Sequence, residues 1–238
     1  MEEGTEIIGT YFIIFAGCGA VVVNEIYGSI TFPGISLVWG LIVMAMVYSV
    51  GHISGAHFNP VVTITLTLFQ HFPLEQVPIY IAAQMLGSIL AGGTLCLLFD
   101  ISQEAYFRLT IPVGPHRRSL ILEIIISYLF LFVISGVATD NRAIGELAGI
   151  TVGMTILLNV FVAGPVYGTS MNPARSIGPA VVMRVYEGLW IYVIGSIVGT
   201  IMGGFGYNLI RFTDKPLSEL PKSTSFIKTL SRTRSNAR

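Results

Sequence analysis

Few residues in this chain have the means for chemistry, and those few are paired. Asn59-Pro60 and Asn172-Pro173 stand 113 residues apart, and Arg175 lies three residues past the second asparagine. Glu6 and Glu123 stand 117 apart. Cys18 and Cys96 sit inside apolar runs and fit neither a disulfide framework nor a metal-ligand cluster. With no acid/base pair and no ligand cluster, the pattern speaks against an enzyme and implies no metal and no cofactor. What remains is hydrogen bonding. Asparagine is a strong N-cap, proline is favoured at the first helical position, and each Asn-Pro pair therefore marks a helix N-terminus.

The elements that must position these groups follow from composition. Of 238 residues, 53% are hydrophobic and 11% charged, against roughly a quarter charged in an ordinary soluble domain. Mean hydropathy is +0.75, and 13 basic residues balance 13 acidic ones. A soluble globular fold, disorder, a collagen repeat and nucleic-acid binding driven by net charge are excluded. The expected surroundings are a lipid bilayer.

A spanning helix takes about 20 mainly apolar residues. Segments free of Asp, Glu, Lys and Arg, with Glu123 the one exception, give candidates at 7–24, 33–52, 77–99, 121–139, 147–164 and 188–210. Two pieces of about a dozen residues, 59–69 and 172–183, are too short to cross, and each follows a glycine-rich break, at Gly51 to Gly55 and at Gly164 to Gly168. The expected fold is an all-α membrane protein with six transmembrane helices and two re-entrant half-helices. It occupies 1–212, with repeat halves of about 5–100 and 119–212, and is followed by a basic tail over 213–238.

The halves match in order and spacing: Glu6 with Glu123, Asn59 with Asn172, Gly87 with Gly199. Three spans per half is an odd number, so the second half enters the membrane inverted, and the two half-helices face each other near the midplane. Irregular backbone at that depth is tolerated only in protein or along a water-filled path. Two N-termini meeting there aim about half a positive charge each at one point, which repels cations. The Asn59 and Asn172 oxygens would cap their helices while the amide N–H groups face a passing solute. Arg211 and the tail's Lys215, Lys222, Lys228, Arg232, Arg234 and Arg238 lie at the C-terminal end, so positive-inside bias makes both termini cytoplasmic, with Arg108, Arg117 and Arg118 opposing weakly from outside.

The segment Gly51-His52-Ile53-Ser54-Gly55-Ala56-His57-Phe58-Asn59-Pro60 and the segment Gly168-Thr169-Ser170-Met171-Asn172-Pro173-Ala174-Arg175-Ser176 resemble the two signature loops of the aquaporin, or major intrinsic protein, family. Phe32-Pro33-Gly34 and the run from Asn159 to Pro165 are most similar to the plant nodulin-26-like intrinsic proteins. The resemblance spans about 6–211. It implies an aromatic/arginine selectivity region made by Trp39, Val160, Thr169 and Arg175, and pore signature loops carried by Asn59, Pro60, Val61, Asn172, Pro173 and Ala174. It implies that Glu6 and Glu123 brace the half-helix loops, a proton relay being the functional alternative, and that the chain forms a homotetramer with one pore per subunit.

Without that frame Trp39 reads equally as an interfacial anchor, Val160 as core and Arg175 as a snorkelling arginine. Val61 stands where the family usually has alanine, adding methyl groups near the centre, and Thr169 stands where the subgroup usually has alanine or glycine. His52 and His57 read as loop packing or as a pH gate. Ser223, Ser225, Ser231 and Ser235 are candidate phosphorylation sites in the tail.

A Trp facing a Val, with Arg175 beside them, suits a solute with a carbon face and a hydroxyl edge. The expected function is a passive channel in the plasma membrane for water and small uncharged solutes such as glycerol, excluding protons and ions, with no nucleic-acid partner. The alternatives are a secondary transporter on an inverted repeat and a metalloid channel of the boric acid type with little water flux.

Overall fold

A computed structural model describes residues 1–99 and 111–211. Arg108 and the tail 213–238, with Ser223, Ser225, Ser231 and Ser235, lie outside the described residues. Those described form eight α-helices and no strand: α1 Glu2–Tyr27, α2 Thr31–Ser54, α3 Pro60–Leu68, α4 Val77–Leu98, α5 His116–Ile134, α6 Ala148–Tyr167, α7 Pro173–Met183 and α8 Leu189–Ile210. A wider π turn, Ser135–Thr139, extends α5. Six of these helices are long and apolar enough to cross a membrane. The other two, α3 and α7, have 9 and 11 residues, and at 1.5 Å per residue each reaches about half of a hydrocarbon core ~30 Å thick.

The breaks fall later than the glycine pattern predicts. Helix α2 runs through Gly51 and His52 to Ser54, and α6 runs through Gly164 and Pro165 to Tyr167. In lipid an unwound peptide has no water to bond, so a glycine penalty of about 1 kcal/mol does not stop a helix. Both helices end where the backbone turns left-handed, at Gly55 (φ 87°) and Gly168 (φ 96°), again 113 residues apart. Glycine meets that φ without the clash a Cβ would cause.

Helix α1 packs on α4 and α5 on α8, while α2 crosses α6. At that crossing Gly40 and Gly153 lie face to face. A Cβ on Gly40 would sit 2.7 Å from the Gly153 carbonyl oxygen, and one on Gly153 would sit 2.6 Å from that of Gly40. The two positions are repeat counterparts, so the contact marks the pseudo-two-fold axis, and small residues let the backbones touch there. Outward faces carry Ile8, Phe12, Leu37, Leu41, Leu158 and Phe205 exposed, as a lipid-facing surface requires. Beyond the end of α5, Asp140 accepts from Arg142 (2.6 and 2.9 Å) and from the Tyr207 hydroxyl (2.8 Å). The Arg142 guanidinium holds the Asp140 carboxyl far below its ordinary range and fastens the α5–α6 connection to α8.

Candidate functional site

The two half-helices meet tip to tip. Asn59 caps α3, its Oδ1 accepting from the Val61 N–H at 3.1 Å. Asn172 caps α7, accepting from Ala174 (3.0 Å) and Arg175 (3.4 Å). Pro60 and Pro173 occupy the first helical position, where the missing N–H costs nothing. The amides are then used crosswise. Asn59 Nδ2 donates to the Met171 carbonyl at 2.7 Å, and Asn172 Nδ2 donates to the Phe58 carbonyl at 2.9 Å. This corrects the expectation that both amide hydrogens face a solute: each Asn commits one N–H to the opposite loop, which pins the tips together, and one N–H per amide is left.

Behind each tip lies a buried carboxylate. Glu6 accepts from the N–H groups of His57 (3.1 Å) and Phe58 (2.7 Å), from Ser54 Oγ (2.7 Å) and from Gln84 Nε2 (2.8 Å). Glu123 accepts from the N–H groups of Ser170 (3.1 Å) and Met171 (2.6 Å) and from the Tyr167 hydroxyl. Both side chains are fully buried. A carboxylate at that depth is stable only when such donors replace its water.

The donors also fix the loops. In a planar trans peptide the N–H and C=O point in opposite directions, so turning the N–H groups of 57 and 58 toward Glu6 aims the carbonyls of Ala56 and His57 away from it. Glu123 does the same to Thr169 and Ser170. Left-handed φ values at Ala56 and Phe58 in one loop and at Thr169 and Met171 in the other sustain this extended, outward-turned backbone. Ala56, His57 and Ser170, whose carbonyls are turned away from the carboxylates, are among the residues that line a cavity together with Gly55, Phe58, Met171 and Asn172.

That cavity has a volume of about 100 Å³, room for several waters or one small polyol. Its walls are stripes at helical spacing: Trp39, Val43 and Val47 from α2, and Ala148, Val152 and Ile156 from α6. Ile13 faces Phe130's register, Trp39 that of Val152, Val43 that of Ile156 and Val62 that of Arg175, each pair related by the repeat offset. Only at Trp39 and Arg175 does the repeat place an indole and a cation where the counterparts are valines.

The structure brings those two together. The Arg175 guanidinium carbon stands 5.5 Å from the Trp39 ring centroid, and its Nη2 donates to the Gly168 carbonyl at 3.3 Å. An aromatic face and a backbone carbonyl stabilise a cation that is only 6% exposed. Val160 and Thr169 are buried but are not among the cavity-lining residues, and neither is Val61, whose neighbour Val62 lines the wall in its place. His57 is buried, with Nδ1 3.0 Å from Thr63 Oγ1 and its ring against Phe72 and Tyr80, whereas His52 is exposed on α2. Cys18 is buried, and half-buried Cys96 lies 3.6 Å from Met183 sulfur.

Several working residues are invisible to motif reading. Gln84 bridges Glu6 and Thr63, Ser88 holds the Ala174 carbonyl at 2.5 Å, and Tyr192 donates to the Tyr167 carbonyl at 2.8 Å. The repeat offset does point to Met171, as the counterpart of Phe58. For Gln84, Ser88 and the two tyrosines the sequence holds no comparable signal.

Known proteins place this geometry. The chain is 69% identical to a probable NIP-type aquaporin of Nicotiana alata, over 94% of this chain and 82% of that one. It is 58% identical to nodulin-26 of Glycine max over the same shares. The solved structure of an aquaglyceroporin from Plasmodium falciparum superposes with a TM-score of 0.79 at 25% identity, covering 88% of this chain and 96% of that one. The model of the major intrinsic protein family matches residues 3–207, and the chain belongs to that family.

Proposed function

We propose that the protein is a passive channel for water and small uncharged solutes such as glycerol, closed to protons and other ions. The observation that carries this reading is the single cavity on which both asparagine tips, both carbonyl-bearing loops and the Trp39–Arg175 pair converge. Solute hydroxyls would donate to the loop carbonyls and accept from Arg175 and the free amide N–H groups, while the apolar stripes of α2 and α6 receive the carbon face. Trp39, Val160, Thr169 and Arg175 form the selectivity region in this reading. Half-helix dipoles and Arg175 together oppose cations. The Asn tips hold a water by donating to its oxygen, which turns its hydrogens away and breaks a proton wire. Glu6 and Glu123 are engaged by loop N–H groups, which leaves neither for ion coupling and favours a channel over a transporter.

The protein names of the relatives agree with this reading, and the proposal includes a plasma-membrane location, cytoplasmic termini and a homotetramer with one pore per subunit. The test is stopped-flow light scattering on proteoliposomes with a panel of water, glycerol, urea and boric acid. Water and glycerol fluxes above those of empty vesicles, linear in solute gradient, are expected. If neither solute crosses faster than through empty vesicles, the reading is wrong.

A further inference from the structure

Gly17 of α1 is the seat of the Trp39 indole. A Cβ on it would lie 2.5 Å from Cδ2 of that ring and closer still to Cε3 and Cζ3, about 1 Å inside ordinary contact. Any side chain at 17 must therefore displace either the indole or the helix. Helix α1 is held in place by Glu6, which takes the loop N–H groups of His57 and Phe58, and by α4, where a Cβ on Gly87 would overlap the Ile7 carbonyl oxygen. Trp39 is 7% exposed and packed in the apolar core, where a close-packed interior has no ångström to spare. The open volume it meets is the cavity that it lines. A side chain at 17 thus drives the indole into the cavity and disturbs its place against Arg175, whose guanidinium carbon stands 5.5 Å from the ring centroid.

The repeat shows what the glycine is for. One turn earlier, Ile13 of α1 and its counterpart Phe130 of α5 both line the cavity. At the next turn the counterpart of Gly17, 117 residues on, is Ile134, and that of Trp39 is Val152; both of these line the cavity too. The second half fills this level with an isoleucine and a valine, the first with a glycine and a tryptophan, so side-chain volume has moved from α1 to α2. The same exchange recurs at Gly9, where a Cβ would overlap the Phe58 ring, while the counterparts of that pair are Ile126 and Met171.

Resting on the channel reading, we infer that Gly17 is a positioning residue for solute selection: it sets how far the Trp39 indole retreats from the cavity, and so how much width is left beside Arg175. Gly17 touches no solute and acts through Trp39. An indole pushed forward takes width first from the larger solute. One methyl group in a fitted apolar pocket discriminates by about 10–200-fold, so glycerol loses more than water.

The experiment measures glycerol and water permeability of proteoliposomes with equal protein content for the full-length parent, Gly17→Ala, Trp39→Val, which copies Val152, and the double variant. Gly17→Ala is expected to lower the glycerol-to-water ratio about tenfold, with water flux within about threefold of the parent. On the Trp39→Val background, with no indole to displace, the same methyl group is expected to change the ratio by less than about twofold. An unchanged or raised ratio in Gly17→Ala, a parallel loss of both fluxes, or an equal fall on both backgrounds makes Gly17 a helix-packing residue only and overturns the assignment. If Gly17→Ala does not reconstitute, the comparison moves to a Trp39→Phe background, whose smaller ring relieves part of the overlap. There Gly17→Ala is expected to lower the ratio at least about threefold, and an unchanged ratio overturns the assignment. A parent protein that conducts no glycerol overturns the channel reading instead, and this inference with it.

Discussion

The cavity has two walls of common descent that now differ at two registers. Along most of it the halves present like to like: Ile13 and Phe130, Val43 and Ile156, Asn59 and Asn172. Trp39 and Arg175 are opposed by Val152 and Val62 at the related positions on the other side of the midplane. The shared part builds the path itself, through capped tips, turned-out carbonyls and a carboxylate behind each loop. The unshared part lies toward one mouth only, where a cation and an indole sit 5.5 Å apart. In the proposed channel, conduction is thus a property of what the halves have kept in common, and discrimination of what they have not.

The strongest way to break that division is to attack the shared part. Glu6→Gln and Glu123→Gln each turn one acceptor oxygen into an amide that faces backbone N–H donors. A stranded donor costs about 1–3 kcal/mol, while Ser54 Oγ or the Tyr167 hydroxyl can turn to accept from the new amide. The two variants are expected to lower the unfolding midpoint in detergent by similar amounts. If one proves neutral while the other unfolds, the loops are not braced alike and the symmetry ends behind the tips.

Arg175→Val tests the unshared part by making α7 copy Val62. A unit charge at 4 Å acts with about 4 kcal/mol on a passing cation at an effective dielectric of about 20. Even after water fills the vacated space, proton leak into pyranine-loaded vesicles is expected to rise at least about tenfold, with the unfolding midpoint little changed. An unaltered leak assigns the whole cation barrier to the half-helix dipoles and the Asn tips, which the halves share, and the proposed division of labour fails.

How much of this could be read before any coordinates depended on whether a residue's work is local or reciprocal. The Asn-Pro caps are local: their oxygens reach N–H groups two or three residues on, and spacing alone revealed them. The lengths of α3 and α7 and the six spans were legible for the same reason. The breaks at Gly51 and Gly164 were misplaced because glycine punctuates chains in water, whereas in lipid the helix persists to the point where φ must become positive. The crossed amides of Asn59 and Asn172 join residues 112 and 114 positions apart, and nothing in either loop announces a partner in the other. Gln84, Ser88 and Tyr192 act through folded distance as well, so their types in an apolar helix gave no more than an unexplained polar atom.

The smallest expected effect lies at Thr169, where the halves share a backbone but not a side chain. Its φ is 39°, and its counterpart Ala56 has φ 54°. A β-branched residue fits the left-handed region worst, since one of its two Cβ substituents crowds the neighbouring peptide. The strain persists because Gly168 on one side and the Glu123-held N–H of Ser170 on the other leave the chain no other course. Thr169→Ala is therefore expected to raise stability by about 0.5–1 kcal/mol, part of the 1–3 kcal/mol typical of such outliers, and Ala56→Thr to lower it by a similar amount. Thermal unfolding of both variants beside the parent gives the comparison. Opposite signs of similar size would show that the two loops hold the same strain and that Thr169 is retained at a cost for what its hydroxyl and bulk do beside Arg175. A loss of stability in Thr169→Ala would instead make Thr169 part of the loop's own support, and would move it from the divergent features of the mouth to the common frame.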